Sequence, residues 1–577
     1  MTSNLVELRP DRRLLDHEFE GYKLNLQALP HYVHKLEVNV DRVFPDEIQY
    51  SFVHAKLFGL HNHLVLDQWD YTFSYYYIDQ KQQVRHVTFE SNLHTFRSKV
   101  VYDVPAHVVR KSGHFNLSLA FPSNTIALIS DGTGYLHIVE TGNRSRPSQA
   151  NTWQTLFSTL ALGENKYFVI VDCRIQEKNG TELVHCLLLS VEQEDSHFNS
   201  VLSWITYEER DQTWRQVGLK ELKGKGIVHY AAIESSCKAI YIASDNQFKF
   251  TSDSENQIAN QIINTEETCK TVYTWLQTTE DISITLKLEE KFNKSLLHVD
   301  VTPLSIKVSY AGTTYIDGKL RNKVDSELTT WNIQDDGQVD ILLTKSDSML
   351  WDDIVEGDKN GQQIMDESLV EEAHRKLAHL CSEKEETPDQ LAPGLSTQQL
   401  EECDAASDED TILARLDCHT HSITHRVPLS VHQFLFSIKL ETQEVPAIVL
   451  RHDVDTCIWQ PFAQLINSDT WPVKHQGTLF AFGYVQSSKQ NRKFVTCPPN
   501  LTYSVVCEAT RHVFVYQSAN NPDSQLRKRT GAMMKTVKVG QQHVFNVDEY
   551  GEVLGINATN EFLFILSESF LVAIEVR

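Results

Sequence analysis

The chain has 577 residues, of which 41% are hydrophobic and 10% aromatic, a composition typical of globular rather than disordered proteins. Its formal net charge of −24 disfavours binding through phosphate neutralisation, so we expect no direct contact with nucleic acid. We find no apolar run long enough to span a membrane and no apolar core of a signal peptide near Met1. With ten cysteines that form no CxxC pair, this favours a cytoplasmic protein, with the nucleus as a second location.

A strand–turn–strand pattern recurs outside the middle of the chain. Its turns fall near Asp79, Asp131, Glu194, Asp245, Asp453, Thr510 and Glu568. Five of the six intervals between them are about 50 to 60 residues, and the sixth is about 208. We therefore predict an all-β protein with a seven-bladed β-propeller of four-stranded blades, built from both halves of the chain. A pair of β-sandwiches is the alternative.

The long interval predicts that a second domain is inserted into the propeller. We place blades one to four in residues 1–267 and the inserted domain in 271–358. A short helix and an acidic, flexible linker follow in 359–424, and blades five to seven in 425–577. The insertion would then lie between the fourth and fifth blades.

The inserted segment begins with closely spaced strands, including ISITLKL and VDILLTK, which predict a compact antiparallel sandwich. From Asp366 an apolar stripe at helical spacing predicts a helix. Between Asp352 and Leu413 the chain has 18 Asp and Glu against 4 Lys and Arg. Such a stretch cannot bury enough apolar surface to offset its ordering entropy, so we predict a flexible linker.

Eight residues of this segment carry a family signature. They are Tyr273, Trp275, Gln277, Thr278, Gly318, Leu320, Trp331 and Trp351. In this order they resemble the signature of a CS domain, and the closing W-x-x-I-V-x-G-D from Trp351 to Asp358 resembles the NudC branch of that family. Further motifs, such as FEGYKL from Phe19 and LRHDVD from Leu450, are similar to a NudC-family member, so the resemblance covers nearly the whole chain.

The resemblance implies a seven-stranded β-sandwich and a role as a co-chaperone or client-binding adaptor, since several relatives work with the heat-shock-ninety chaperone. The signature residues are mostly structural. Large aromatic side chains normally build the core of a domain this small, so we expect Tyr273, Trp275, Trp331 and Trp351 to be buried. We expect Gly318 to permit a turn.

Two lysines are candidates for a partner surface. Lys287 and Lys345 stand at positions that we interpret as the polar faces of strands.

The segment CHTHSITH places Cys418, His419, His421 and His425 close together, and on a strand the three histidines would share one face. Structural zinc usually takes its ligands from two separated pairs, and we find no second pair, so we favour a polar strand that leads back into the propeller. In RHDVD, we expect Asp453 and its neighbours to bond the backbone of a tight turn. We predict no catalytic residue, no cofactor and no metal.

These patterns favour a non-enzymatic, monomeric adaptor. The CS domain would engage a chaperone of the heat-shock-ninety class or a client, while the propeller binds a second protein. The linker would raise the effective concentration of the two modules. One alternative is a constitutive scaffold subunit of a single dedicated complex, and another is a hydrolase or metal enzyme that uses Cys418 to His425.

Overall fold

The computed structural model describes residues 4–70, 73–146, 153–178, 180–194, 197–211, 213–256, 258, 273–278, 281–287, 296–333, 338–346, 351, 353–355, 361–363, 411–429, 432–462, 473–518 and 538–576. The chain divides into two compact units. The host unit comprises Met1–Ile258 and Thr397–Arg577, and the inserted unit comprises Ala259–Ser396. The predicted helix from Asp366 and most of the predicted acidic linker lie outside the described residues.

The host strands that precede the insertion are β1 (Asn4–Leu5), β2 (Phe19–Leu24), β3 (His31–Lys35), β4 (Val65–Leu66), β5 (Ser74–Ile78), β6 (Gln83–Glu90), β7 (Thr95–Asp103), β8 (Ser118–Ala120), β9 (Ile126–Ser130), β10 (Tyr135–Glu140), β11 (Gln154–Leu160), β12 (Val169–Lys178), β13 (Thr181–Glu194), β14 (His197–Arg210), β15 (Thr213–Lys225), β16 (Val228–Ile233), β17 (Ala239–Ser244) and β18 (Lys249–Asp253). The strands of the inserted unit are β19 (Tyr273–Gln277), β20 (Asp281–Lys287), β21 (Leu297–Thr302), β22 (Ser305–Tyr310), β23 (Thr313–Lys319), β24 (Val324–Ile333), β25 (Gln338–Lys345) and β26 (Gly361–Gln363). The host strands that follow it are β27 (Ile412–Asp417), β28 (Ile423–Pro428), β29 (Phe434–Ile438), β30 (Ala447–His452), β31 (Asp455–Pro461), β32 (Val473–Leu479), β33 (Arg492–Thr496), β34 (Tyr503–Glu508), β35 (His512–Gln517), β36 (Lys538–Asn546), β37 (Val553–Ala558), β38 (Phe562–Ser567) and β39 (Phe570–Glu575).

Helices are few among the described residues. They are α1 (Phe52–Gly59), α2 (Phe482–Ser487) and two 3-10 turns, Arg12–Leu14 and Asp548–Tyr550. Neither described α-helix is long and apolar enough to cross a membrane. The prediction of an all-β protein is confirmed.

The described host strands form seven sheets, which we number along the chain. Their strand orders are β4-β5-β6-β7 (sheet 1), β8-β9-β10-β11 (sheet 2), β12-β13-β14-β15-β18 (sheet 3), β16-β17-β27-β28-β1 (sheet 4), β29-β30-β31-β32 (sheet 5), β33-β34-β35-β36-β2 (sheet 6) and β37-β38-β39-β3 (sheet 7). Neighbouring strands are antiparallel, except that β1 runs parallel to β28 and β2 runs parallel to β36.

Several inner strands of the host sheets, such as β5, β9 and β38, are buried on both faces, and their sequences are nearly continuous apolar runs. In β5, Tyr75 and Tyr77 lie in a cluster with Phe564 of sheet 7, whereas Tyr76 and Ile78 lie in a cluster with sheet 2. This division follows from the two-residue period of a strand. Clusters of this kind are shared by sheets 1 and 2, 2 and 3, 3 and 4, 4 and 5, 5 and 6, 6 and 7, and 7 and 1.

Six of the seven predicted turns join antiparallel neighbours, which in each case are the second and third strands of a sheet. The hairpin predicted at Asp245 is wrong. Strand β17 pairs with β16 and β27, and β18 pairs with β15 of sheet 3. The Asp245 carboxylate instead accepts hydrogen bonds from the Ile227 N–H (2.9 Å) and from His229 (2.5 Å). It therefore fixes the start of sheet 4 rather than a hairpin.

In the other six host sheets a turn joins the second and third strands. In sheet 4 the inserted unit takes the place of that turn, between β17 and β27. Strand β27 pairs with β17 along its whole length, from Ala239 with Asp417 to Ser244 with Ile412. The predicted linker of 359–424 therefore ends too late, and the insertion lies within a sheet rather than between two blades. Strand β27 (ILARLD) is not predicted from the sequence, because it follows acidic residues and has the charged Arg415 at its centre.

Arg415 is buried in an ion pair that joins the chain before the insertion to the chain after it. Its Nε donates to Oε1 of Glu234 (2.7 Å) and its Nη2 donates to Oε2 (3.1 Å). The Tyr241 hydroxyl also donates to Glu234 (2.7 Å). Burial raises the pKa of Glu234, but hydrogen bonds from Arg415 and Ser236 outweigh that effect and hold the pKa below its ordinary value.

The N-terminal residues supply the terminal strands of three sheets that are otherwise formed mainly by later parts of the chain. Strands β1, β2 and β3 belong to sheets 4, 6 and 7. Between them, the Asp11 N–H donates to Nδ1 of His475 on β32 of sheet 5 (3.1 Å). The segment thus follows sheets 4 to 7 and covers strand edges that would otherwise present unpaired backbone groups.

The inserted unit consists of two described sheets, β24-β25-β20-β19-β26 and β21-β22-β23. Their shared core includes Trp275 and Ile341 from the first sheet and Val308 and Ile316 from the second. Strands β19 to β25 pair antiparallel with their neighbours, and the short β26 runs parallel to β19. The predicted sandwich is therefore present, with one additional strand.

We expect Arg415→Ala to lower the free energy of unfolding of the host unit by about 3–5 kcal/mol, because it leaves the buried Glu234 carboxylate without its cation. Because the folded-state pKa of Glu234 is lowered, the pair stabilises fully above the ordinary pKa of the carboxyl, and its contribution is lost as the pH falls through the folded-state pKa. The difference from the parent chain in urea unfolding, followed by tryptophan fluorescence, should shrink on acidification.

The control is Arg9→Ala, which removes an exposed pair with Glu7 and should leave the urea midpoint unchanged. Equal midpoints for the two variants would contradict a stabilising role for the buried pair.

Candidate interaction sites

Gln277 and Lys345 form a hydrogen-bond network around Trp351 in the inserted unit. Gln277 Nε2 donates to the Trp351 carbonyl (2.8 Å), and its Oε1 accepts from the Trp351 N–H (2.8 Å). The Lys345 ammonium donates to the same Oε1 (2.8 Å) and to the Thr278 carbonyl (2.8 Å). The Gln277 amide therefore holds Trp351 as a neighbouring strand would and fixes its indole in the core.

The prediction that Lys345 belongs to a partner surface is wrong, because the residue is only 7% exposed. Strand β25 buries Val339, Ile341 and Leu343, and Lys345 is the next member of this two-residue series. The two-residue periodicity of β25 could have predicted that Lys345 points into the core. There its ammonium is hydrogen-bonded to Gln277 and Thr278. Lys287 is the last residue of β20, and its side chain lies outside the described part of the structure.

Most of the signature is structural, as we expect. Tyr273, Trp275, Leu320 and Trp351 are buried in the sandwich core. Thr278 forms the turn between β19 and β20: its N–H donates to the Asp281 carbonyl (2.9 Å), and its Oγ1 accepts from the Asp281 N–H (3.0 Å).

Gly318 does not form a turn, contrary to the prediction. It lies within β23, where an added Cβ would come within 2.5 Å of the Val355 side chain. Val355 belongs to the closing motif and forms a β-bridge with Leu320. Glycine is therefore required because the closing segment approaches the strand closely.

The prediction that Trp331 is buried is also wrong, since its exposed fraction is 42%. Trp331 lies on β24, the terminal strand of its sheet, and is in register with Ile341 of β25 and, through it, with Ile284 of β20. Both isoleucines are fully buried in the sandwich core, whereas Trp331, the next residue across the sheet, is not. In this row the core therefore stops at β25 and does not extend over β24. Leu328 on the same strand is 59% exposed. We call Trp331, Leu328 and strand β24 the CS edge surface.

The segment from Cys418 to His425 does not place its histidines on one face. His421 lies in the turn between β27 and β28 with a φ of +53°, and its Nε2 donates to the Asp253 carboxylate (2.7 Å). His425 is buried in β28, and Cys418 is buried in the core between sheets 3 and 4. Within the described ranges, no three His, Cys, Asp or Glu residues are grouped as a metal ion would require.

Two further motifs lie at hairpin turns. The Asp131 carboxylate accepts from the N–H groups of Thr133 (2.8 Å) and Tyr135 (3.1 Å), and Gly132 has a φ of +73°. Asp453 has a φ of +53° between β30 and β31. The Asp131 carboxylate shapes its own turn, whereas the Asp455 carboxylate beside Asp453 accepts from the distant Ala481 N–H (2.6 Å). A basic run in the sequence, Arg527–Arg529, which we interpret as a solvated loop rather than a nucleic-acid patch, lies outside the described residues.

A cavity of about 1120 Å³ in the host unit was not foreseen from the sequence. It is lined by residues of the first strands of sheets 1 to 6 and by α1. The Ser51 Oγ caps α1 by accepting from the His54 N–H (3.2 Å). On the cavity side, the Lys56 ammonium donates to Nδ1 of His229 (3.1 Å), whose Nε2 donates to Asp245. This chain of hydrogen bonds from Lys56 through His229 to Asp245 attaches α1 to sheet 4.

The sandwich and its closing motif define the class of the inserted unit, and a family model for the CS domain matches residues 271–345. NudC domain-containing protein 1 from Mus musculus is 32% identical over 582 residues, which cover 99% of this chain and 98% of that protein. Its counterpart from Xenopus tropicalis is 32% identical over 594 residues and covers both chains completely. The nuclear movement protein from E. cuniculi GB-M1 is 30% identical over 15% of this chain and 98% of its own, with a TM-score of 0.13. This chain belongs to the NudC family of CS-domain proteins.

We expect Lys345→Ala to lower the free energy of unfolding of the inserted unit by about 1–3 kcal/mol, because the Thr278 carbonyl and Gln277 Oε1 each lose the donor that the buried lysine supplies. Hydrogen exchange of residues 273–345 in the full chain measures this loss separately from the host. Lys307→Ala removes an exposed pair with Asp317 and is the matched control. Unchanged exchange in Lys345→Ala would contradict the structural role of the lysine.

Proposed function

We propose that the chain is a non-enzymatic protein-interaction adaptor with a co-chaperone-like role in the cytoplasm and nucleus. Its CS domain engages a chaperone of the heat-shock-ninety class or an unfinished client, and the host unit holds a second protein. The proposal rests on the membership of the NudC family and on the CS domain itself. Its partners are proteins, and the chain acts as a monomer.

We propose further that the host unit is a seven-bladed β-propeller. Three observations support this architecture: there are seven described sheets, each sheet shares a cluster with the next and the last shares one with the first, and the first strands of six sheets line one cavity. Blades packed face to face around a central channel have this arrangement. Such a body offers a rigid binding surface.

The CS edge surface is the part of the inserted unit that we propose for client contact. Trp331 and Leu328 present apolar area that the sandwich does not cover. Strand β24 pairs with β25 on one side and is the terminal strand of its described sheet. An extended client segment could add to this edge through backbone hydrogen bonds and cover Trp331.

The two modules would act together by bivalent recruitment. Residues 364–410, which connect β26 to β27, have 14 acidic and 3 basic side chains, the composition of a solvated tether. A tether raises the effective concentration of one bound partner at the other without fixing their geometry.

The edge surface is tested by Trp331→Ser in an assay of aggregation of a heat-unfolded model enzyme. We expect suppression of aggregation to fall by about fivefold, because the apolar contact is lost, while the urea midpoint falls much less than in the core variant Trp275→Ser. Trp331→Phe should retain most of the suppression. Trp275→Ser is the core control and should lower the free energy of unfolding by about 3–5 kcal/mol. Full suppression by Trp331→Ser would exclude the edge surface.

Bivalency is tested by affinity capture with the full chain and with a chain that lacks residues 259–396. We expect the shortened chain to lose the chaperone and to keep the second partner. Recovery of both partners by the shortened chain would contradict bivalency. Capture of a single stoichiometric partner by both chains would instead favour a scaffold subunit.

A further inference from the structure

The host unit has a groove beside α1 that the proposed CS contacts do not use. Its volume is about 750 Å³, and it lies between α1 and the turns that precede β33 and follow β34. The α1 wall is formed by Phe52, Ala55 and Leu60. The opposite wall includes Arg492 and Arg511, together with Lys493. The groove therefore has a mainly apolar wall on α1, which also carries Lys56, and an opposite wall whose charged residues are mainly basic.

The apolar wall is exposed to an unusual degree. Phe52, the first residue of α1, is 75% exposed, and Leu60 at its other end is 43% exposed. Ile48 and Tyr50, which lead into the helix, are 70% and 73% exposed. Of these residues, Phe52 and Leu60 line the groove, and exposed apolar area of this kind marks protein contacts.

The helix itself is held firmly, so the patch is presented on a fixed support. Phe58 on the inner side of α1 packs against Phe115 of the host, with ring centroids 5.4 Å apart. Lys56 bonds His229 on sheet 4. A preorganised surface loses less conformational entropy when a partner binds.

The basic wall stands out because the chain as a whole carries a charge of −24. Four of the five charged residues that line the groove are basic: Lys56, Arg492, Lys493 and Arg511. The fifth, Glu508, is bonded to His512 (3.0 Å). Lys493 pairs with Glu552 (2.8 Å), whereas Arg511 is exposed and makes no ion pair with any described residue.

We propose that this groove binds an acidic amphipathic segment of a partner protein, with apolar side chains against Phe52 and Leu60 and a carboxylate against Arg511. An arginine fork can hold a carboxylate through two parallel hydrogen bonds. Complementary charge also sets the register of a docked segment. This inference rests on the proposed adaptor function and assigns the surface with which the host unit holds its second partner.

The test uses the full chain and two labelled synthetic peptides of about eighteen residues, long enough for about five helical turns. Both carry leucines on one face; the other face is glutamate in one peptide and lysine in the other. Because the chain is strongly acidic, its overall field favours the lysine peptide. We expect fluorescence anisotropy to show about tenfold tighter binding of the glutamate peptide, which would report the groove. Equal binding, or tighter binding of the lysine peptide, would overturn the proposal.

Two variants assign the binding to the groove. Phe52→Ser and Arg511→Glu should each weaken binding of the glutamate peptide by about fivefold or more. Leu93→Ser, at an exposed leucine in the turn between β6 and β7, and Arg210→Glu, at an exposed arginine at the end of β14, are the matched controls and should bind as the parent chain does. Unchanged binding in the groove variants would overturn the proposal, as would a dimer in sedimentation that Phe52→Ser dissociates, since the occupant would then be a second copy.

The same variants are measured for suppression of aggregation, which depends on the CS domain. If Phe52→Ser and Arg511→Glu retain both suppression and peptide binding, the groove proposal is contradicted but the adaptor function is not. Absence of suppression in the parent chain would count against the adaptor function.

Discussion

The pairing of β17 with β27 is the contact on which the host unit depends, because these strands are separated by the whole insertion and yet form the centre of sheet 4. Residues of β27 enter both clusters that sheet 4 makes: Ala414 and Leu416 pack towards sheet 3, and Leu413 packs towards sheet 5. Without this pairing, the apolar faces of three sheets would lose their cover. The buried Glu234–Arg415 pair adds a specific link at the same place.

An insertion at this position is compatible with a stable host. The cost of closing a loop rises only slowly with its length, so a domain can replace a turn if the two flanking strands still pair. Sheet 4 keeps its register across the junction, and β18 extends sheet 3 before the chain enters the inserted unit. The CS domain is thereby carried by the host while each unit retains a core of its own.

The sequence predicts those features that depend on local periodicity. Turns and alternating strands recover the all-β class and six hairpins, while residue type alone predicts the burial of Tyr273, Trp275 and Trp351. Features that depend on distant partners could not be read in this way. Arg415 looked like part of an acidic linker because its partner, Glu234, lies far away in the sequence. Strands β1 to β3 are short, and their partners come from the other end of the chain.

The failures within the CS signature have a different cause. A signature records which residue types a fold needs but not the reason for each. Gly318 is needed for the close approach of Val355, and Lys345 is needed for the carbonyls that it bonds. Trp331 lies on the terminal strand β24, at a point where the strand extends beyond the sandwich core, so it is a surface residue despite its apolar side chain. The residues available to a partner are therefore the exposed ones, and Trp331 is the signature residue among them.

The most direct test of the central claim is to replace residues 259–396 with a short Gly-Ser linker and to measure hydrogen exchange of the β17 amides together with the urea midpoint of the host. We predict that the shortened chain folds, that residues 239–244 stay protected, and that Arg415→Ala lowers the midpoint as it does in the full chain. Rapid exchange of these amides, or failure of the shortened chain to fold, would contradict the claim that β17 and β27 complete one sheet independently of the inserted unit.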